Sequence, residues 1–298
     1  MAGTELPDAH ESLLAALALV DTGARTSEDI FTAGNQWMSH GRVFGGQVLA
    51  QTVLAAYRTV PADRHIHSLH GYFLRPGAVS EPTTLAVDRI HDGRSFTARR
   101  TQAYQKGVPI FSGIASFQDS DPGLDHQSVM PSGLPAPETL PSAGDLLRGY
   151  PAAAAALWTE NAFDFRHIQG PVFLDVPEPA AKQAVWIRCR RRLPDDPVLH
   201  RAIFAYVSDY TLLESVLRRH GVAWATPGLK IASLDHAMWW HRPGRADEWF
   251  CYVQESPNAI GGRGLAAGRM YAADGTLIAS VAQEGMIRVP PGTTTAVR

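Results

Sequence analysis

The feature that most constrains the fold of this chain is an internal repeat. Arg75-Pro76-Gly77 recurs as Arg242-Pro243-Gly244, and each copy follows an aromatic-rich run, His70 to Leu74 and Ala237 to His241. Gly93-Arg94 recurs as Gly262-Arg263, and Gly107-Val108-Pro109-Ile110-Phe111-Ser112 recurs as Gly275-Thr276-Leu277-Ile278-Ala279-Ser280. The three pairs keep one order at an offset of about 168 residues, which favours two copies of one unit over chance. At 298 residues the chain is long enough to give each copy its own core. Between the copies a segment of roughly 40 residues from Asp119 collects Pro131, Pro135, Pro137, Pro141 and Pro151 and lacks sustained periodicity, as a linker does. The expected division is therefore 1–118, a Pro-rich linker at 119–159, and 160–298.

Each copy reads as a helix followed by strands. In the second, Asp195-Asp196-Pro197 supplies a cap and a first-turn proline, while Arg218, Arg219, His220 and Gly221 supply a basic last turn and a stop. Leu199, Ile203, Val207, Leu213 and Leu217 recur between them, and the spacing predicts one helix of about six turns. The first copy has a helix-like run from Phe44 to Tyr57 opened by Gly45-Gly46. Strand-like runs follow at Ser68 to Leu74, Thr84 to Ile90, Phe96 to Tyr104 and Ile110 to Phe117. Their counterparts are Ile231 to Trp240, Trp249 to Glu255, Leu265 to Tyr271 and Leu277 to Ile287, with Asp92-Gly93 and Asp274-Gly275 as hairpin turns. One long helix followed by an antiparallel meander implies an α+β fold, a sheet wrapped around its helix, twice over.

Charge and composition exclude several partners. With 27 Lys and Arg against 29 Asp and Glu, the chain has no broad positive field, so neither nucleic acid nor an anionic membrane is expected. The longest apolar stretches, Leu13 to Val20 and Ala152 to Trp158, fall short of the roughly 20 residues that span a bilayer. Glu5, Asp8 and Glu11 occupy the N-terminal stretch where a secretory signal carries basic residues, so a cytoplasmic protein is expected. Cys189 and Cys251 are too few for a disulfide framework or a zinc site, and are expected to be reduced core residues.

Several polar residues interrupt apolar patterns. Asp209 falls in the middle of the predicted second helix, on or beside its apolar stripe, where a carboxylate needs partners. It reads either as a functional carboxylate or as a stripe-edge residue touching water or an Arg. The run from Ile231 to His241 leaves Ser233, Asp235 and His236 in a strand expected to be largely buried. Such neighbours project to alternate faces, and the chain has no Gly-x-Ser-x-Gly elbow, so a covalent serine hydrolase is not expected. Gln283 is an amide inside the last strand, able to orient water by donating and accepting, or to lie on the surface. His65, His67 and His70 are split across two strand faces, and Gly262-Arg263-Gly264 with Gly268 lacks a dinucleotide spacing. No metal and no cofactor are expected.

The runs Val43-Phe44-Gly45-Gly46-Gln47, Ser68 to Gly77, Ser233 to Pro243 and Gln283-Glu284-Gly285 together resemble the acyl-CoA thioesterase II family over most of the chain. The resemblance implies two tandem hotdog folds fused as a pseudo-dimer, and hydrolysis of fatty acyl-CoA to free fatty acid and CoA. It places the roles of water-activating residues on Asp209, Ser233 and Gln283; this chain has Ser233 where several bacterial members have Thr. The Gly45-Gly46 helix opening is the expected source of oxyanion donors. Peroxisomal relatives end in a Ser-Lys-Leu-type signal, which Ala296-Val297-Arg298 is not. Asp235-His236 keeps open a hotdog hydratase or dehydratase, and a non-catalytic acyl-CoA-binding protein is a third reading. Association into a homodimer or homotetramer is expected, because joined sheets still leave edges and faces.

Overall fold

The computed structural model describes residues 8–293 apart from 26, 39, 148–160, 174 and 177. Glu5, Pro151, the Ala152 to Trp158 run and Ala296-Val297-Arg298 therefore lie outside the described residues. A short helix, α1 (Ala9–Leu17), is capped by the Asp8 carboxylate and precedes the first unit. That unit runs β1 (Val20–Arg25), β2 (Glu28–Ala33), α2 (Gly45–Tyr57), β3 (His65–Phe73), β4 (Thr83–Asp92), β5 (Phe96–Gln105) and β6 (Val108–Gln118). After a connector holding α3 (Ala143–Leu146), the second unit begins with β7 (Phe163–His167), β8 (Lys182–Cys189), α4 (Pro197–Ser208) and α5 (Glu214–His220). It ends with β9 (Lys230–Ser233), β10 (Asp235–Trp240), β11 (Phe250–Ile260), β12 (Arg263–Ala272) and β13 (Leu277–Arg288).

The strands among the described residues form one sheet in the order β1-β2-β4-β5-β6-β3-β10-β13-β12-β11-β8-β7, with β9 set against β13. The two units meet edge to edge through β3 and β10, which are antiparallel and place Ala237 opposite His70, Asp235 opposite Tyr72 and Trp239 opposite Ser68. Ala237 and His70 each stand five residues before the Arg of their Arg-Pro-Gly run, so each is paired with its own repeat mate. A pseudo-two-fold axis therefore passes between them. On the concave side α2 and α4 lie against each other, and one apolar core runs across the seam. It joins Leu49 and Val53 of α2 to Ile203 and Val207 of α4, Leu69, Phe111 and Phe117 of the first sheet half and Phe250 and Val281 of the second. This is a sheet wrapped around its helix in two copies, the tandem hotdog.

Three sequence expectations change. The single six-turn helix is two helices, α4 and α5, parted by a turn at 209–213, although Gly221 does stop the second with a left-handed φ of 66°. Each unit also has strands before its helix, β1 and β2 in one and β7 and β8 in the other. The expected strand from Ile231 to Trp240 is interrupted at Leu234. The connector, expected as a Pro-rich linker, is tied down over its described length. Met130, Leu134 and Leu140 cover Ala184, Trp186 and Cys251 on the outer face of the second half-sheet. Trp186 Nε1 donates to Pro135 O at 3.0 Å, and Gln127 spans Gly275 O and Leu277 N at 2.8 and 3.0 Å. Cys189 and Cys251 are buried and unpaired, and burial pushes both thiols up, Cys251 to about 12. No helix among the described residues is long and apolar enough to cross a membrane.

Candidate active site

The helix break explains Asp209. Leu199, Ile203 and Val207 follow at steps of four, but Leu213, the next member of the series read from the sequence, comes after a step of six, with Leu212 and Tyr210 between. Continuous helix would swing Leu213 off the core-facing stripe. The chain instead makes a tight turn, with Tyr210 N on Val207 O at 3.1 Å and Glu214 N on Thr211 O at 3.0 Å, after which Leu213 and Leu217 are buried. Asp209 is thus the C-cap residue of α4 rather than an interior one, and its carboxylate is released toward β9 and β13.

A strand irregularity does the same for Ser233 and His236. In an unbroken strand two residues three apart face opposite sides. At Leu234 the N–H donates to Glu284 O and the C=O accepts from Phe73 N, both at 2.9 Å, and this break brings Ser233 and His236 to one side, beside Gln283. The expectation that these neighbours point to alternate faces is corrected for this pair. Asp235 does turn away, accepting from Glu284 N at 2.6 Å, so Asp235 and His236 act on different groups.

The three residues assigned by resemblance come together. Ser233 Oγ donates to Asp209 Oδ1 at 3.0 Å, and Gln283 Nε2 donates to the same oxygen at 2.8 Å and to Ser233 Oγ at 2.6 Å. The Gly46 amide also donates to the carboxylate. Part of Asp209 still reaches solvent, but the protein around its carboxyl is dense. Burial pushes its pKa up to about 6 against the opposing pull of the donors from Gln283, Ser233 and Gly46. Behind this cluster, His236 Nδ1 meets Gln283 Oε1 at 2.7 Å and His236 Nε2 meets Ser208 Oγ at 2.8 Å. Burial lowers the His236 pKa to about 4, so the ring is neutral near pH 7.

Gly45 and Gly46 open α2 directly against this carboxylate. A Cβ at Gly45 would lie 2.5 Å from Asp209 Oδ2, and one at Gly46 would overlap the Tyr206 carbonyl. Only glycine lets the helix N-terminus of the first unit approach the acid of the second so closely. Phe44, just before the helix, packs on Tyr206 and Tyr210 at ring separations of 5.2 and 4.5 Å.

The pseudo-two-fold axis gives this cluster a mirror position in the first unit. The repeat mates of Ser233, His236 and Gln283 are Ile66, Leu69 and Ala115, all buried in the core. Among the described residues, the repeat positions of the first unit therefore do not reproduce the polar constellation. Sequence reasoning passed over the roles of His236 and Ser208. Their signal was that His236 shares its inward parity with Met238 and Trp240, where a buried imidazole must find partners. Among the described residues no group of three His, Cys, Asp or Glu is placed to hold a metal ion.

Fold and site define a double-hotdog protein with a partly buried carboxylate–hydroxyl–amide cluster between its units. Residues 176–286 match the family described as acyl-CoA thioesterase, and residues 34–118 match its N-terminal domain family. The chain is 37% identical over 277 residues to human acyl-coenzyme A thioesterase 8, covering 89% of this chain and 86% of that protein. It is 35% identical over 266 residues to acyl-CoA thioesterase 2 of Haemophilus influenzae, covering 87% and 92%. The crystal structure of an acyl-CoA thioesterase II, TesB2, from Mycobacterium marinum superposes with a TM-score of 0.73 at 39% identity, over 95% of this chain and 99% of that one. The chain belongs to the acyl-CoA thioesterase II family.

Proposed function

We propose that the protein hydrolyses fatty acyl-CoA to free fatty acid and CoA, with Asp209, Ser233 and Gln283 activating water. The observation that supports this most is the meeting of a hydroxyl and an amide on one oxygen of a carboxylate whose pKa lies at about 6. Such a group is ionised at pH 7 yet basic enough to take a proton. Water bound to this cluster donates a proton to Asp209 and accepts from Ser233 or Gln283, leaving a lone pair for the thioester carbonyl. Addition gives a tetrahedral oxyanion; collapse breaks the carbon–sulfur bond, and the departing thiolate takes the proton from Asp209. Gly45, at the positive end of α2, is the donor assigned to the oxyanion, because the Gly46 amide that was expected to join it is engaged by the Asp209 carboxylate. No acyl-enzyme forms and no metal takes part.

The separate orientations of Asp235 and His236 support hydrolysis over a hydratase that needs both on one substrate. A non-catalytic acyl-CoA-binding protein would release no thiol. The same reading includes a cytoplasmic setting, assembly into a homodimer or homotetramer, and division of the chain at 1–118, 119–159 and 160–298. That division is supported by the end of β6 at Gln118 and the start of β7 at Phe163.

The test is thiol release from acyl-CoAs of short to long chain in the presence of a strong chelator, followed by single-turnover hydrolysis read by intact-protein mass. Ser233→Thr is expected to keep most activity, and Ser233→Ala to be slower yet measurable, because Asp209 and Gln283 still hold the water. An acyl adduct that forms and decays on Ser233 at the turnover rate would sink the water mechanism.

A further inference from the structure

Gln283 serves Asp209 and Ser233 in only one orientation. Its amide has a donor end and an acceptor end of nearly equal shape. With the amide reversed, Oε1 would face Asp209 Oδ1 at 2.8 Å, acceptor against acceptor. Asp209 disfavours that reversal but leaves it possible whenever the carboxylate is protonated or engaged with water. A second constraint sits at the other end of the amide. His236, 1% exposed, places Nδ1 at 2.7 Å from Gln283 Oε1. An acceptor there requires Nδ1 to carry the hydrogen, and a neutral ring then leaves Nε2 as an acceptor. Ser208, fully buried, sets its hydroxyl 2.8 Å from both Nε2 and the Ala205 carbonyl, and its single hydrogen serves this tautomer when it is turned to Nε2 rather than to that carbonyl. Ser208 is also the residue before Asp209, so the contacts close a ring: Asp209 to Gln283 to His236 to Ser208 and back along one peptide.

We propose that His236, seated on Ser208, is a positioning residue that holds the Gln283 amide with its nitrogen toward Asp209 and Ser233. The inference rests on the hydrolytic reading above and deepens it. His236 touches neither Asp209 nor Ser233 among its hydrogen bonds and acts through Gln283. The titratable groups around Asp209 are Tyr206 and Tyr210 from its own helix and turn, Tyr252 from β11 and His236 from β10. Burial raises all three phenols, and the imidazole is neutral, so these neighbours carry no charge at pH 7. Burial and hydrogen bonds therefore set the basicity of Asp209, and the Gln283 donor is first among the groups that lower its pKa.

The experiment compares pH profiles of kcat and KM for the wild type, His236→Asn, His236→Leu and Asp209→Asn. The Asn amide nitrogen can take the place of Nδ1–H, whereas Leu offers no donor. His236→Asn is expected to stay within about fivefold of wild-type kcat, and His236→Leu to fall by about 10²-fold with KM within about threefold, the scale of a displaced reacting group. The acid limb should move to higher pH in His236→Leu alone, because Asp209 loses an oriented donor. Equal kcat in both variants with unmoved limbs would overturn the proposal while leaving Asp209 in place if Asp209→Asn is inactive. Near-normal turnover of Asp209→Asn would remove Asp209 from the mechanism and this inference with it. A measurement independent of variant folding uses nitrogen-15-labelled histidine in the wild type. His236 is expected as the Nδ1–H tautomer, with no titration above about pH 5; an Nε2–H tautomer would overturn the assignment.

Discussion

Asp209 must be a base in surroundings that resist its charge. An ordinary aspartate has a pKa near 3.8, and here it is about 6. The folded state therefore binds more protons than the unfolded state between those values, and stability rises as the pH falls through that window. At pH 7 the ionised carboxylate costs the fold up to about 3 kcal/mol, an upper bound because Asp209 is partly solvated. Asp209→Asn keeps the shape and removes the charge, so it is expected to raise Tm by a few degrees while lowering kcat by about 10²–10⁴-fold. Calorimetry beside thiol-release kinetics checks both; a fall in Tm with unchanged turnover would count against the assignment. In the wild type, kcat/KM should decline below about pH 6 as Asp209 protonates. At this scale the sequence was only partly legible. Resemblance, not spacing, assigned roles to Asp209, Ser233 and Gln283. The partners of His236 and Ser208 come from strands and a helix distant in the chain, and no local pattern encodes their meeting.

At the scale of elements, the site depends on irregularities. The turn at 209–213 and the break at Leu234 each re-aim a side chain that regular structure would send elsewhere. The step of six between Val207 and Leu213 did carry the helix break, but the cap and stop residues at either end favoured one continuous helix. The strands before each helix were harder to see. In β2, Asp29 occupies an inward position, 6% exposed and paired with Arg89 at 2.8 Å, so polar and apolar residues do not alternate as in a half-buried strand. The close approach of α2 to α4 gives a sharper prediction. Gly46→Ala places a methyl group against the Tyr206 carbonyl, backbone that does not swing aside, and is expected to destabilise the protein by about 1–3 kcal/mol. Gly45→Ala meets only side chains, Asp209 and Phe73, and should reduce kcat more than stability because it displaces the carboxylate. Urea melts and kinetics on the two variants separate these effects; an unaffected melt for Gly46→Ala would mean that the helices part readily.

The whole molecule is organised by the β3–β10 seam. The repeat offset read from sequence reappears there as register, with Ala237 and His70 paired across the axis, and the apolar core is continuous beneath it. The two units should therefore unfold together, in one calorimetric transition whose van't Hoff and calorimetric enthalpies agree. Two separated transitions would show that the seam transmits little. What the repeat could not reveal is how unlike its copies have become on the concave side. Ile66, Leu69 and Ala115 fill in apolar form the place that Ser233, His236 and Gln283 fill in polar form. The consequence is one of counting. A near-symmetric chain offers two equivalent seats, yet a non-hydrolysable acyl-CoA analogue is expected to saturate at one equivalent per chain, with a non-cooperative isotherm for the isolated chain; a second equivalent of matching affinity would mean that the apolar copy still serves as a substrate seat.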